Sequence, residues 1–361
     1  MRKHERALER ASFGEQGKAL TTVGQSASRN YSRLAPWVGC ALAIAALAYV
    51  LHGTHPARAL RDVSNVDWSW VLVGIAFELV SYYMQGARWK MLLMPFGHVR
   101  VTRTVRAVYA GLFANLFPLR PGELLRSYLI SKGEGIGFGK AIGSVGVERL
   151  VDLVEATLAL GVVSLFVELP PKFKSAADDL GIVALVLVAL ALAGILYFEY
   201  RLGDTAENGG NGGKPPGKFM AALVGLHAMG TSPSFYPAVL TSALMPFFQV
   251  LALWAMMRSY HLDLPFLDAV VVLLVINLGV SLPNAPANVG SYQFFCVLGL
   301  RVFQEQFQLD NTQVAGFSVF AFVMLTVPCL IVGLIATLQS GISIFRLREE
   351  IRQLPVEGRS R

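Results

Sequence analysis

The sequence predicts an all-α, polytopic integral membrane bundle, and three observations carry that expectation. Of its 361 residues, 54% are hydrophobic and 15% charged, whereas soluble domains carry about 25% charged residues. Mean hydropathy is +0.52, and the apolar residues gather into long uncharged runs. Two of the apolar stretches are broken by Pro/Gly clusters. The formal charge of +7 comes from 31 basic against 24 acidic residues. In a membrane protein that excess belongs to the cytoplasmic loops, so nucleic acid is not an expected partner. Cys40, Cys296 and Cys329 lie singly in apolar runs, which excludes a disulfide framework and a cysteine-based zinc site.

The elements follow in order. Residues 1–35 are polar and basic, with Arg2, Lys3, Arg6, Arg10, Lys18, Arg29 and Arg33, and read as a disordered cytoplasmic tail. Residues 36–52 form a short first span; the long polar leader and the lack of a small-x-small site favour an uncleaved anchor over a signal peptide. A second span covers 68–88, opened by Trp68 and Trp70 and closed by Arg88, Trp89 and Lys90. Further spans are expected at 147–168, 179–199, 235–257 and 313–338. The intervening loop 201–234 contains NGGNGGKPPGK, a flexible linker by composition, and the tail 341–361 is basic.

Orientation follows from Lys/Arg placement. The N-terminal tail, the 88–106 and 120–140 loops and the C-terminal tail are all basic, so all are expected in the cytoplasm. That requires 104–130 to enter, turn at Pro118-Leu119-Arg120-Pro121-Gly122 and leave on the same side. Residues 266–304, broken at LPNAPANVG, make a second hairpin entering from outside. Six full spans plus two re-entrant hairpins result. Each half reads span, broken hairpin, span, the pattern of an inverted repeat; eight ordinary helices with two proline kinks are the plainer alternative.

Ionisable residues in such a chain are costly and so informative. Pro118, Pro121 and Gly122 stop a helix and restart it, with Glu123 and Arg126 three apart on the new helix. A restarted N-terminus beside Arg120 and Arg126 suits an anion such as a lipid phosphate; a headgroup-touching interfacial helix is the plainer reading. Glu148, Asp152 and Glu155 share one helical stripe, with Arg149 about 100° away. They are expected to face protein and to pair with Arg120, Arg126 or Arg88. Asn284, Asn288, Ser291 and Gln293 at the second break can satisfy freed backbone groups or line a neutral polar path. Glu78 lies mid-span and is expected to pair with an arginine elsewhere. GEGIGFGKA (133–141) lacks the spacing and the Ser/Thr of a phosphate-binding loop and reads as a flexible turn. His52 and His55 have no third ligand nearby. HExxH, GxSxG and Asp-x-Asp motifs are absent, so neither metal nor cofactor is expected.

PGELLRSYLISKGEGIGFGKAIGSVGVERLVDL (121–153) resembles the signature of the lysylphosphatidylglycerol synthase transmembrane region family. Pro121, Gly122, Glu123 and Arg126 match its Gly-Glu-x-x-Arg element, and Glu148, Arg149 and Asp152 its Glu-Arg-x-x-Asp element. Pro283, Pro286, Gly290 and Gln293 resemble its later Pro-x-x-Pro-Gly-x-Gly-x-x-Glu element. There Ala287 or Asn288 stands where Gly is usual, and Gln293 replaces the Glu, which bears on any proton or charge role of that position. The resemblance spans about 36–340. It implies a flippase-like domain that moves aminoacylated phosphatidylglycerol, or a hopanoid or polyprenyl-type lipid, between leaflets. Only about twenty residues follow the last span, so the family's soluble synthase domain is not expected.

The functional expectation is therefore a non-enzymic lipid translocase of the inner membrane. A substrate-binding set is drawn from Arg120, Glu123, Arg126, Glu148, Arg149, Asp152, Asn284, Asn288 and Gln293. The expected partners are an anionic or polyprenyl-type lipid and enzymes of lipid or glycan synthesis. A membrane-embedded transferase and a non-transporting scaffold are the rivals. The missing donor-binding motifs weigh against the first and the intramembrane charges against the second.

Overall fold

The computed structural model describes residues 44–50, 52, 61–117, 121–163, 166–167, 182, 186, 189, 233–281, 286–342 and 347–352. These residues are helical, with turns and short 3-10 segments and no strand. The fold is all-α as expected. The expected spans 36–52 and 179–199, the loop 201–234 and the two basic tails lie wholly or mostly outside the described residues.

Among the described residues four longer helices precede the linker, besides helical stretches at 44–50 and 61–64. The four are α1 (Trp68–Leu93), α2 (Val101–Ala114), α3 (Gly122–Glu134) and α4 (Phe138–Val163). Four more follow it: α5 (Phe235–Ser259), α6 (Phe266–Ser281), α7 (Ser291–Arg301) and α8 (Asn311–Ser340). A short helix α9 (Leu347–Arg352) closes the described chain. The lengths run 26, 14, 13 and 26 residues in the first set and 25, 16, 11 and 30 in the second. Each set is thus a long helix, two half-length helices and another long helix.

Asp67 caps α1 by accepting from the Ser69 N–H at 2.9 Å, which fixes the helix start just before the exposed Trp68. Several boundaries differ from expectation, and α1 runs past the expected end at 88 to Leu93. The span expected at 147–168 begins at Phe138 and ends at Val163. Hydropathy sees only the apolar part of that helix; FGKAIGSVG contains no proline, so the helix runs on through it. The flexible turn expected at 133–141 shrinks accordingly. Gly135, at φ 71°, ends α3 in the left-handed conformation open to glycine, and α4 starts three residues later.

α1 and α5 pack along their length and run antiparallel. The Asp67 N–H donates to the Ser259 carbonyl at 3.0 Å, joining the start of α1 to the end of α5. At the other end Ser234 Oγ donates to the Met91 carbonyl at 3.0 Å. Because α2 follows the end of α1 and α6 the end of α5, the two half-length pairs start from opposite ends of the α1–α5 pair. Their tips touch: the Ala287 N–H donates to the Asn115 carbonyl at 2.9 Å.

The first hairpin is packed backbone to backbone. A Cβ on Gly122 would collide with the Gly111 carbonyl oxygen and with the Asn115 side chain. The glycine lets α3 close on α2 and lets its N–H donate to Asn115 Oδ1 at 3.1 Å. The hairpin packs on α1 and on α8, where Gly333 admits the Tyr109 carbonyl, and α4 lies against α3. The second hairpin packs on α5 and α8 around Leu253, Met256, Val272, Cys296, Phe317 and Ala321, all buried.

Among the described residues α5 and α8 are long and apolar enough to cross a membrane, and α6 is a shorter apolar helix. α1 and α4 are as long but carry charges within their apolar length, and those charges meet.

Candidate functional site

Glu148 on α4 is completely buried and Arg88 on α1 is 1% exposed. Arg88 Nη2 lies 2.8 Å from Glu148 Oε1 and its Nη1 2.6 Å from Asp152 Oδ1. One guanidinium therefore spans two carboxylates that are one helical turn apart, the spacing that puts both on the same face. Ser242 of α5 accepts from Arg88 Nη1 at 3.1 Å, and Gln85 donates to Glu148 Oε1 at 2.8 Å.

Arg126 reaches Glu148 from the other side. Its Nη1 donates to Oε1 at 3.4 Å, and its Nη2 stands 2.9 Å from Oε2, an ionic contact off the hydrogen-bonding axis. The same guanidinium lies over the Trp89 ring at 5.0 Å, while Trp89 Nε1 donates to Ser144 Oγ at 2.8 Å. Arginine suits such a stacked position better than lysine does. Nε of Arg88 and Nε of Arg126 are buried with no hydrogen-bond acceptor among the described residues.

An outer layer continues the network. Arg149 donates from Nη2 and Nε to Glu123 Oε1, at 2.6 and 3.0 Å, and its Nη1 lies 3.5 Å from Asp152 Oδ2. Exposure rises outward, from 0% at Glu148 to 30% at Asp152, 46% at Glu123 and 57% at Arg149. Three guanidiniums face three carboxylates at ion-pairing distance, Glu155 stands as a fourth acid near Arg88 about one turn further along α4, and the cluster is open on one side. That arrangement can admit an anion by exchange: an incoming phosphate takes Arg149 from Glu123, whose exposed carboxylate passes to solvent.

Five of the sequence-selected residues come together here: Glu123, Arg126, Glu148, Arg149 and Asp152. Glu123 and Arg126, three apart on α3, do not act as a pair. Arg149 of α4 takes the first and Glu148 the second. Arg120 and Asn284 lie outside the described residues. Asn288 sits at the second break with φ 59°, half-buried, its Oδ1 without a hydrogen-bond partner among the described residues. Gln293 is buried, and its Oε1 accepts from the Gly290 N–H at 2.7 Å. It fastens the start of α7. Glu78 departs from expectation: among the described residues no arginine or lysine pairs with it. On the same helix Arg88 and Gln85 reach across to the acids of α4.

Gln85, Trp89, Ser144 and Ser242 were not singled out from the sequence. The signal for the first two was their spacing beside Arg88 at the end of a span. Ser242 carries none, being one more small residue in an apolar helix.

An integral membrane protein built from broken helices around an internal ion network is the class these features define. The chain belongs to the lysylphosphatidylglycerol synthase transmembrane region family, whose profile matches residues 37–333. It is also similar to a protein of Haloferax volcanii named glycosyltransferase AglD, 26% identical over 127 residues, 35% of this chain and 20% of that protein. A UPF0104 membrane protein of Methanothermobacter thermautotrophicus is 28% identical over 115 residues, 31% of this chain and 34% of that one. The matched stretches thus span only a fifth to a third of these curated relatives.

Proposed function

We propose that the protein is a lipid translocase of the cell membrane, without enzymatic activity of its own, that passes an anionic headgroup along the Glu123–Arg149–Asp152 face. One observation carries the reading. Two broken hairpins start at opposite ends of an antiparallel helix pair and meet tip to tip, next to a buried ion network open on one side. The antiparallel α1–α5 pair and the matching order of helix lengths support an inverted repeat; six spans and two re-entrant hairpins, with both termini in the cytoplasm, rest on the Lys/Arg placement in the sequence. Discontinuous helices whose restarted N-termini point into the bundle are how such transporters hold charged groups at mid-depth. Both α3 and α7 restart at the tips.

The relatives' names point to lipid or glycan metabolism. The cargo class is an anionic phospholipid, aminoacylated or not, or a polyprenyl- or hopanoid-type lipid, supplied by synthesis enzymes that are the expected partners. The phosphate first displaces Glu123 from exposed Arg149 and is then shared with Arg126 behind it.

The test is translocation of fluorescent phosphatidylglycerol in vesicles containing the purified chain. The Glu123–Arg149 pair is exposed and contributes about 0–1 kcal/mol to stability, so Arg149→Ala remains folded. We expect its rate to fall at least about tenfold, the loss of one charge-assisted contact. Wild-type protein no faster than empty vesicles, or Arg149→Ala at the wild-type rate, would exclude this path.

A further inference from the structure

One ionisable group in the bundle has no part in the network. Glu78 is the eleventh residue of the 26-residue α1, about 15 Å along the helix from Trp68 and so near the middle of a hydrocarbon layer about 30 Å thick. It is half-buried. Among the described residues no cation and no hydrogen-bond donor meets its carboxyl; its backbone carbonyl alone is engaged, by Ser81 Oγ at 2.8 Å.

Its surroundings come from four helices. Tyr82 lies one turn on along α1, Tyr109 comes from α2, Tyr292 from the first turn of α7 and Cys329 from α8, all within electrostatic reach of Glu78. Tyr109 Oη is already committed, donating to the Leu79 carbonyl at 2.8 Å, and its ring lies 5.9 Å from that of Tyr82. Arg149 is committed to Glu123 and Asp152. α5, packed along α1, places its ionisable residues Tyr236 and Arg258 only near its ends. The cage is thus made of neutral groups, and both hairpins contribute to it.

A carboxylate in such a cage has nothing to offset its charge, so the neutral acid is the form that fits. Its neighbours on α2 and α7 lie within a few residues of Asn115 and Ala287, so parting of the tips changes its surroundings directly. We propose that Glu78 is a proton-binding site, protonated while the hairpin tips touch and exchanging its proton with water as they separate, so that lipid movement is linked to a proton gradient. The linkage rests on the translocation reading above; the proton site itself does not.

Two measurements on the full chain test it. In infrared difference spectra of the purified protein, wild type at neutral pH should show the C=O stretch of a protonated carboxylic acid that Glu78→Gln lacks. Glu78→Asp should restore it. In vesicles of phosphatidylglycerol and phosphatidylcholine, a gradient of one pH unit should shift steady-state lipid asymmetry by up to about tenfold, the factor for one proton per lipid. The shift should vanish in Glu78→Gln and return in Glu78→Asp. Identical spectra for wild type and Glu78→Gln would mean an ionised side chain and overturn the proton site. A protonated Glu78 with gradient-independent translocation would overturn the coupling and leave the translocase intact. A wild-type chain that moves no lipid would overturn the coupling together with the translocase, while the spectra would still decide the site.

Discussion

The main-chain N–H of Ala287 donates to the main-chain carbonyl of Asn115 across 2.9 Å, so the tips of two hairpins 172 residues apart in sequence are joined through backbone alone. Ala287 does so with φ 54°, a left-handed conformation that costs a non-glycine residue of order 1 kcal/mol. If lipid passage requires the tips to separate, tying them together should stop it. Cysteines at 115 and 287 are expected to cross-link under oxidation and to halt translocation, and reductant should restore it. Unimpeded transport by the cross-linked protein would show that the tips stay together throughout.

Glu148 holds two guanidiniums with one carboxylate, at zero exposure. Its removal leaves Arg88 and Arg126 facing each other in a dry interior. Glu148→Ala should therefore destabilise the protein by about 3–5 kcal/mol, as loss of one partner from a buried ion network does. Thermal unfolding in detergent checks this. A variant within about 1 kcal/mol of wild type would show that the cluster is solvated.

Gly122 and Gly146 make a controlled pair. A methyl group on Gly122 strikes the Gly111 carbonyl, whereas one on Gly146 meets nothing within 4 Å. Gly122→Ala should lower the yield of folded protein sharply. Gly146→Ala, at an exposed position inside α4, should be neutral or stabilise by about 0.5–1 kcal/mol. Equal behaviour of the two would refute the close approach of α2 and α3.

The basic 120–140 segment is expected to face the cytoplasm. Cysteines placed at Ser131 or Gly139 should resist impermeant thiol reagents added outside intact cells and react once the membrane is opened. Labelling from outside would sink the re-entrant arrangement of the first hairpin.

Much of the ion network was legible because charge in an apolar run forces a partner. Glu148 and Asp152 one turn apart had to meet a cation, and of the three candidates Arg88, Arg120 and Arg126, the structure pairs Arg88 and Arg126 with them while Arg120 lies outside the described residues. The partition among them was not legible. Glu123 and Arg126 share a face on α3, yet which acid each neighbouring arginine takes depends on how α4 packs beside that helix. Gln293 shows a second limit. A polar residue next to a helix break reads equally well as cavity lining or as a backbone acceptor, and only the Gly290 N–H at 2.7 Å decides it. Glu78 exposes a third: the cost of an unpaired charge argues for a cation, but a proton answers the same cost and leaves no mark in sequence. The tip contact lies beyond reach altogether, since a bond between two main chains puts no constraint on residue type beyond tolerance of the turn.

The seating of Gly122 against Gly111 also has a mechanical side. With no room for even a methyl group between them, α2 and α3 have little freedom to slide or splay, so the first hairpin behaves as one stiff arm. Compliance must then sit at its joints. The hydrogen bond at the tip, a contribution of about 1 kcal/mol, is a far weaker coupling than the packing inside the arm. Thermal energy alone suffices to release such a catch many times a second while the arm keeps its shape. If the hairpins move in the proposed translocation, they are expected to swing as whole arms about their roots, where they join the long helices.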